Sequence, residues 1–271
     1  MDTSIGEEAN KKIRSKKIYF ASDLHLGLPN QKESLPREKI FVNWLESIRQ
    51  ETAELYLLGD IFDFWFEYYR VVPKGYVRFL GKIAEFTDSG IPVHFFTGNH
   101  DVWMFDYFQK ELNVTVHHQP LIKEIDGKVF LLAHGDGLGP GDRGYKLLKS
   151  IFTNATLQWL FARLHPNFSL WFGNQWSVSS RYSKEITHVF REEEEQITRF
   201  ARIQLSQKHF DYFIFGHWHS PIIYPLANNS SLIILGDWLV NNTYSVWDGE
   251  SLKLMRYLPG KESHQLIAHS F

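Results

Sequence analysis

Residues 16–27 read KKIYFASDLHLG, a short apolar run that breaks into a polar stretch carrying an aspartate and a histidine. The run is too short for a helix and reads as a buried strand. The same figure recurs downstream in LYLLGD at 55–60 and in VHFFTGNHD at 93–101. Between the first two lies 36–51, with Ile40, Phe41, Trp44, Leu45 and Ile48 at helical spacing. Between the second and third lies 77–86, expected to be helical and to end near Gly90 and Pro92. Strand, helix, strand, helix, strand predicts a parallel sheet with crossover helices.

Further along, VTVHH, LIKEI and KVFLLAHGD crowd together, with Asp126-Gly127 between the last two as a hairpin signal. Residues 143–191 read as helical and aromatic, and 192–207 as an amphipathic helix. YFIFGHWH, IIYPLA, SLIILGDW, YSVWDG and KLMRYL then follow as short strands. The expected architecture is α/β: two packed sheets flanked by helices, with one helical insertion. Residues 1–15 are expected to be a polar leader, 16–271 one catalytic domain, and about 143–191 the insertion.

Composition narrows the functional classes. The chain has 271 residues, 44% of them hydrophobic, which excludes general disorder. It contains no cysteine, so disulfides, zinc–thiolate sites and cysteine nucleophiles are ruled out. The formal net charge of −2 gives no sign of a nucleic-acid binder. The polar start MDTSIGEEANKKIRSKK lacks the apolar core of a secretory signal. No apolar run approaches the ~18–20 residues that span a bilayer. A cytoplasmic protein is expected, at most peripheral on the cytoplasmic face of the inner membrane. No protein partner is expected.

Five polar clusters follow predicted strands: Asp23-x-His25, Gly59-Asp60, Gly98-Asn99-His100-Asp101, His134-Gly135-Asp136 and Gly216-His217-Trp218-His219. In α/β sheets the carboxyl ends of strands gather ligands, so clusters spread along the chain can converge there. Imidazole, carboxylate and amide oxygen together suit borderline divalent ions: Mn²⁺, Fe²⁺, Zn²⁺ or Co²⁺. A carboxylate such as Asp60 can bridge two cations. Two cations ~3.5–4 Å apart clamp the attacking and leaving oxygens of a phosphoryl displacement and lower the pKa of a bridging water. The i, i+2 spacing of Asp23 with His25 and of His217 with His219 would aim both members of a pair to one side of extended backbone. His94, His117, His118, His165, His188, His209, His264 and His269 have no such context, and each is expected to be an ordinary packed or surface residue.

DLHLG, GDIFDFW, GNHD, HGD and GHWH resemble the five blocks of the calcineurin-like metallophosphoesterases. The resemblance implies a four-layer α/β/β/α sandwich. It implies that Asp23, His25, Asp60 and His219 hold one metal, and Asp60, Asn99, His134 and His217 the other. His100 would stand near the leaving-group oxygen, with Asp101 orienting it. LYLLGDIFDFWFE, HGDGLGPGDRGYKLL and LGDWLVNNTYSVWDGESL further resemble the UDP-2,3-diacylglucosamine hydrolases of lipid A synthesis. Those enzymes release UMP and the diacylated sugar phosphate, usually with Mn²⁺. By position the resemblance assigns substrate contacts to Asn99, His100, Asp142, Ser177, Lys184 and His217. The chain departs from that group twice: His100 stands where Arg follows the metal-binding Asn, and Arg181 stands where Asn is expected.

The insertion points to a lipid substrate on separate grounds. Between Arg143 and Arg191 seven Lys/Arg face one acidic residue, Glu185, a local charge of +6 that leaves −8 elsewhere. The same stretch holds Phe152, Trp159, Phe161, Phe168, Trp171, Phe172, Trp176 and Tyr182. Such a segment can rest on an anionic membrane or line a groove for acyl chains. Its aromatics can equally serve only to glue the insertion to the core. Two other readings stand beside the lipid hydrolase: a metallophosphoesterase acting on nucleotides or phosphodiesters, and a scaffold without chemistry.

Overall fold

A computed structural model describes residues 16–141, 143–182, 190–261 and 263–269. Strand β1 (Lys17–Ala21) leads to helix α1 (Gln31–Ile48), β2 (Thr52–Leu58), α2 (Val77–Asp88), β3 (Val93–Phe96), α3 (Tyr107–Leu112) and β4 (Thr115–His117). β1 to β4 pair in parallel; the strand–helix alternation predicts this for β1 to β3, and α3 with β4 adds one further crossover that was not expected. Three antiparallel strands extend this sheet past β1: β10 (Thr243–Trp247), β11 (Leu252–Leu258) and β12 (Ser263–His269).

The second sheet has the order β5-β6-β7-β9-β8. Its strands are β5 (Leu121–Ile125), β6 (Lys128–Ala133), β7 (Tyr212–Phe215), β8 (Ile222–Pro225) and β9 (Ser231–Ile234). β6, β7 and β9 run parallel, while β5 and β8 lie antiparallel at the edges. Asp126 and Gly127, both with positive φ, turn the β5–β6 hairpin where the Asp-Gly pair predicts it.

Side-chain alternation sorts each strand into two cores. From β1 and β2, Tyr19, Ala21, Leu55 and Leu57 pack with Phe41, Trp44, Phe79 and Phe108 of α1, α2 and α3. Their neighbours Ile18, Phe20, Tyr56 and Leu58 face Phe130, Leu132, Ile214 and Ile233 of the second sheet. The outer face of that sheet, through Phe213, Phe215, Leu232 and Ile234, packs against Ile197 and Ala201 of α7 (Gln196–Gln207). The layers are therefore α/β/β/α. Strands buried on both faces must be apolar at every position, which is why the sequence shows continuous apolar runs rather than alternation.

Between β6 and α7 lie α4 (Arg143–Phe152), α5 (Ala155–Phe161) and α6 (Pro166–Tyr182). They dock on the loops after β2 and β3. The Phe161 ring lies 4.9 Å from that of Phe66, and the Trp103 indole donates to the Phe152 carbonyl at 2.8 Å. Gly173 brings α6 so close to Phe64 that an added Cβ would stand 2.2 Å from its ring. The leader 1–15 lies outside the described residues.

Two expectations need correction. α1 starts at Gln31, not at Pro36: the Asn30 side chain accepts from the Glu33 N–H at 3.0 Å and caps the helix there. Pro36 is tolerated inside because its ring removes only one backbone bond near the start. Strand β12 was not expected, because SHQLIAH carries no clear alternation and forms an edge held by backbone pairing with β11.

Candidate metal centre

Each of the five clusters begins within three residues of a strand's last residue, after β1, β2, β3, β6 and β7. Backbone bonds tie the first two together: Asp23 N–H donates to Gly59 O, and His25 N–H to Asp60 O. Asp23, His25, Asp60, His217 and His219 all hold positive φ. The i, i+2 pairs do converge, but through left-handed turns rather than through extended backbone. That conformation costs about 1–3 kcal/mol at a non-glycine residue and collects at functional sites.

Three groups of possible ligand atoms result among the described residues, two of them made only of candidate ligands and the third of His25 with Asp63 and His100. Asp23, His25 and His219 form the first, with His25 Nε2 3.1 Å from His219 Nε2, and His219 Nε2 3.3 Å from Asp23 Oδ1. Asp60, His134 and His217 form the second, with Asp60 Oδ2 3.4 Å from His134 Nε2. The same Asp60 oxygen lies 3.7 Å from His25 Nε2, so this carboxylate stands between the groups. Asn99 joins the second, its Oδ1 3.3 Å from His134 Nε2. All seven predicted metal ligands therefore meet at one place.

Glycines permit the approach. An added Cβ at Gly98 would stand 2.1 Å from Asp60 Oδ1, and one at Gly59 (φ +86°) 2.5 Å from His134 Nδ1. His134 Nδ1 lies 2.7 Å from the Leu58 carbonyl, which fixes it as donor and leaves Nε2 for a ligand. Asn241, in the segment that closes on β10, donates to His219 O, while Trp238 N–H donates to Asp23 O. The LGDW stretch thus braces the first and last clusters from behind.

The electrostatics call for cations. Asp23, Asp60, Asp63, Asp101, Asp136 and Asp237 are all buried here. Burial opposes ionisation of Asp60, yet His134, His100 and His25 hold its carboxyl well below the usual range. Burial also opposes charge on His134, but Asp60 pushes its pKa up to about 10. Burial and the His134 charge push His217 down to about 4. Buried carboxylates need positive partners, and here protonated imidazole stands in for them. The mixed O/N donors and the shared carboxylate fit two divalent ions, whose binding would release the His134 proton.

Asp101 does not orient His100. Its carboxylate accepts backbone N–H groups of Gly98, Asp60, Ile61 and Phe62 at 2.8–3.3 Å, which pins the Asp60 loop to the Asn99 loop. Burial and the nearby Asp60 raise its pKa. His100 is held instead by the Asp63 carbonyl, 3.1 Å from its Nδ1. Asp63, missed as a candidate, also sets Oδ1 3.6 Å from His25 Nδ1. Its place three residues after Asp60 was the available signal. Asp142 and Lys184 lie outside the described residues, as does the side chain of Ser177, whose backbone is in α6.

The insertion aromatics divide. Phe152 and Phe161 pack on Trp103 and Phe66. Trp159 and Trp171 are 55% and 57% exposed, and Phe168 and Phe172 are exposed beside them. The side chains of Trp176 and Tyr182 lie outside the described residues. No helix among the described residues is long and apolar enough to cross a membrane.

The calcineurin-like phosphoesterase family matches residues 16–221. A protein of Porphyromonas gingivalis named UDP-2,3-diacylglucosamine hydrolase is 42% identical, covering 88% of this chain and 96% of that one. A Histophilus somni protein of the same name is 28% identical, covering 82% and 92%. Among solved structures, the Escherichia coli phosphoesterase Yfce aligns with 93% of the chain at 15% identity and a TM-score of 0.46.

Proposed function

The chain belongs to the calcineurin-like phosphoesterase family, and on that premise we propose that it hydrolyses the diphosphate of UDP-2,3-diacylglucosamine in lipid A synthesis. The products are UMP and 2,3-diacylglucosamine 1-phosphate. The observation that carries the reading is the Asp60-centred ligand groups in one chain with an insertion that packs Phe152 and Phe161 inward and exposes Trp159, Phe168, Trp171 and Phe172. The 42% identity to a protein named for this reaction supports the substrate.

Asp23, His25, Asp60 and His219 hold one divalent ion, and Asp60, Asn99, His134 and His217 the other. Mn²⁺ is the first choice and Fe²⁺, Zn²⁺ and Co²⁺ the alternatives, since O/N donors accept all four. When bound, such ions lower the pKa of water and neutralise phosphoryl oxygens. The chain's own part is placement. Asp60 fixes the separation of the two ligand groups. His100, whose Nδ1–H donates to the Asp63 carbonyl, would have a second proton on Nε2 to give to the leaving oxygen only as the imidazolium, and it acts in that form. Asp101 keeps the loops of Asp60 and Asn99 in register. Asn99, His100 and His217 contact the phosphates, with Asp142, Ser177 and Lys184 as further contacts on the insertion side. The exposed aromatics and the +6 charge seat the protein on the anionic cytoplasmic face of the inner membrane, where the substrate resides.

A product assay with Mn²⁺ tests this, setting UDP-2,3-diacylglucosamine against soluble UDP-sugars and a simple phosphodiester. Preferred release of UMP from the lipid is expected. Turnover of the soluble substrates alone would sink the lipid assignment and favour a nucleotide or phosphodiester hydrolase, to which His100 in place of Arg points. No turnover with any ion would favour the scaffold.

A further inference from the structure

We propose that Asp136 is a positioning residue that locks the helical insertion to the metal-pocket end of β6. It follows His134 by two residues and is 4% exposed. Its Oδ2 accepts from Lys149 Nζ at 2.7 Å and from the Tyr145 hydroxyl. Tyr145 and Lys149 are one turn apart on α4 and so present one face to the same carboxylate. Gly137, with φ +67°, lies against the Tyr145 ring, 3.0 Å from where a Cβ would be. Lys146 Nζ donates to Gly139 O and makes a further tie to the loop.

The physical weight of this contact comes from what α4 lacks. None of its residues is fully buried, and Phe152 against Trp103 is a ring contact at its far end, so polar ties carry much of the hold on its first turns. Asp136 is buried, and a buried carboxylate stripped of its partners is strongly destabilised. Through the chain, Asp136 holds the start of the insertion at a set distance from His134. The aromatic surface that meets the acyl chains is thereby placed relative to the ions that meet the diphosphate. That last consequence rests on the proposed lipid substrate; the lock itself does not.

The test uses the full chain loaded with Mn²⁺ and the variants Lys149→Met, Tyr145→Phe and Asp136→Asn. Limited proteolysis measures opening of 143–182. Lys149→Met is expected to speed cleavage there roughly tenfold, within the range of coupling between contacting residues. It should raise KM for the diacylated substrate by a similar factor and leave kcat on a soluble phosphodiester and metal content unchanged. In an Asp136→Asn background, Lys149→Met should add little. Additive effects would mean that Lys149 acts elsewhere, for example on membrane charge, and would overturn the lock. Unchanged proteolysis in both Lys149→Met and Tyr145→Phe would overturn it too, even if Asp136→Asn failed to fold. If wild-type protein ignores the lipid, the substrate reading fails while the proteolysis cycle still decides the lock.

Discussion

At the residue scale, five of the seven candidate ligands sit in left-handed backbone, a conformation that neighbours must enforce. Asp60 shows how. Its N–H faces Asp101, its carbonyl accepts from His25 N–H, and its Oδ1 accepts from His100 N–H at 3.0 Å. Asp60→Ala removes the atom common to both ligand groups. Turnover should fall to background and bound metal below two ions per chain, with circular dichroism unchanged; elemental analysis and the product assay check this. Near-wild-type rates would show that the shared-carboxylate assignment is wrong. His100 differs, because its Nδ1 lies 3.1 Å from the Asp63 carbonyl and its ring groups with His25 and Asp63 rather than with the seven candidate ligands. His100→Ala should keep both ions and lower kcat about 10²–10³-fold, as loss of one donor to a developing oxyanion does. Loss of metal in that variant would move His100 among the ligands.

At the scale of elements, the sheet edge at β3 and β4 carries a titratable contact away from the site. His94 Nδ1 of β3 lies 3.1 Å from His117 Nε2 of β4, and the His94 ring stacks on Tyr56 at 4.5 Å. Burial, reinforced by His117, pushes His94 down to about 4. The unfolded chain then binds the proton more readily, at about 6.5. This contribution to stability is complete above pH ~6.5 and is lost as pH falls toward 4. His94→Phe keeps the stack and removes the titration. Denaturation midpoints of variant and wild type should therefore diverge in the variant's favour between pH 6.5 and 4. Parallel curves would refute the assignment. That VHFF and VTVHH are strands was legible in the chain, because both are short apolar runs flanked by turn residues, but their parallel pairing through α3 was not expected. Nor was the contact between the two histidines, since it depends on register.

At the scale of the whole molecule, the four layers leave the strand ends open on one side, and the insertion lies over the loop between β2 and α2 there. Trp159, Phe168, Trp171 and Phe172 each leave about half of the side chain exposed, and Arg163 lies over the Trp159 ring at 4.5 Å. Aromatic and basic groups together suit the interface of an anionic bilayer. Trp159→Ala combined with Trp171→Ala should weaken binding to phosphatidylglycerol vesicles about tenfold or more, since each indole presents large apolar area. Co-sedimentation measures it, and unchanged binding would remove the membrane from the account.

The sequence by itself determined the parallel core of the first sheet, the two-sided burial of its strands and the strand ends at which the polar clusters lie; the choice of seven candidate ligands among them came from the family resemblance. Those features are local: an apolar run sets a strand, and a polar residue after it must stand at the strand's end. What only the tertiary structure decided is how those ends face one another. Asp60 stands between two ligand groups because β1, β2 and β3 lie side by side and the β6 and β7 ends meet them across the sandwich. Asp101 binds four backbone donors from two loops, and Asp136 reaches forward to α4. No spacing in the chain encodes either contact, because each joins elements whose approach is fixed by packing at a distance.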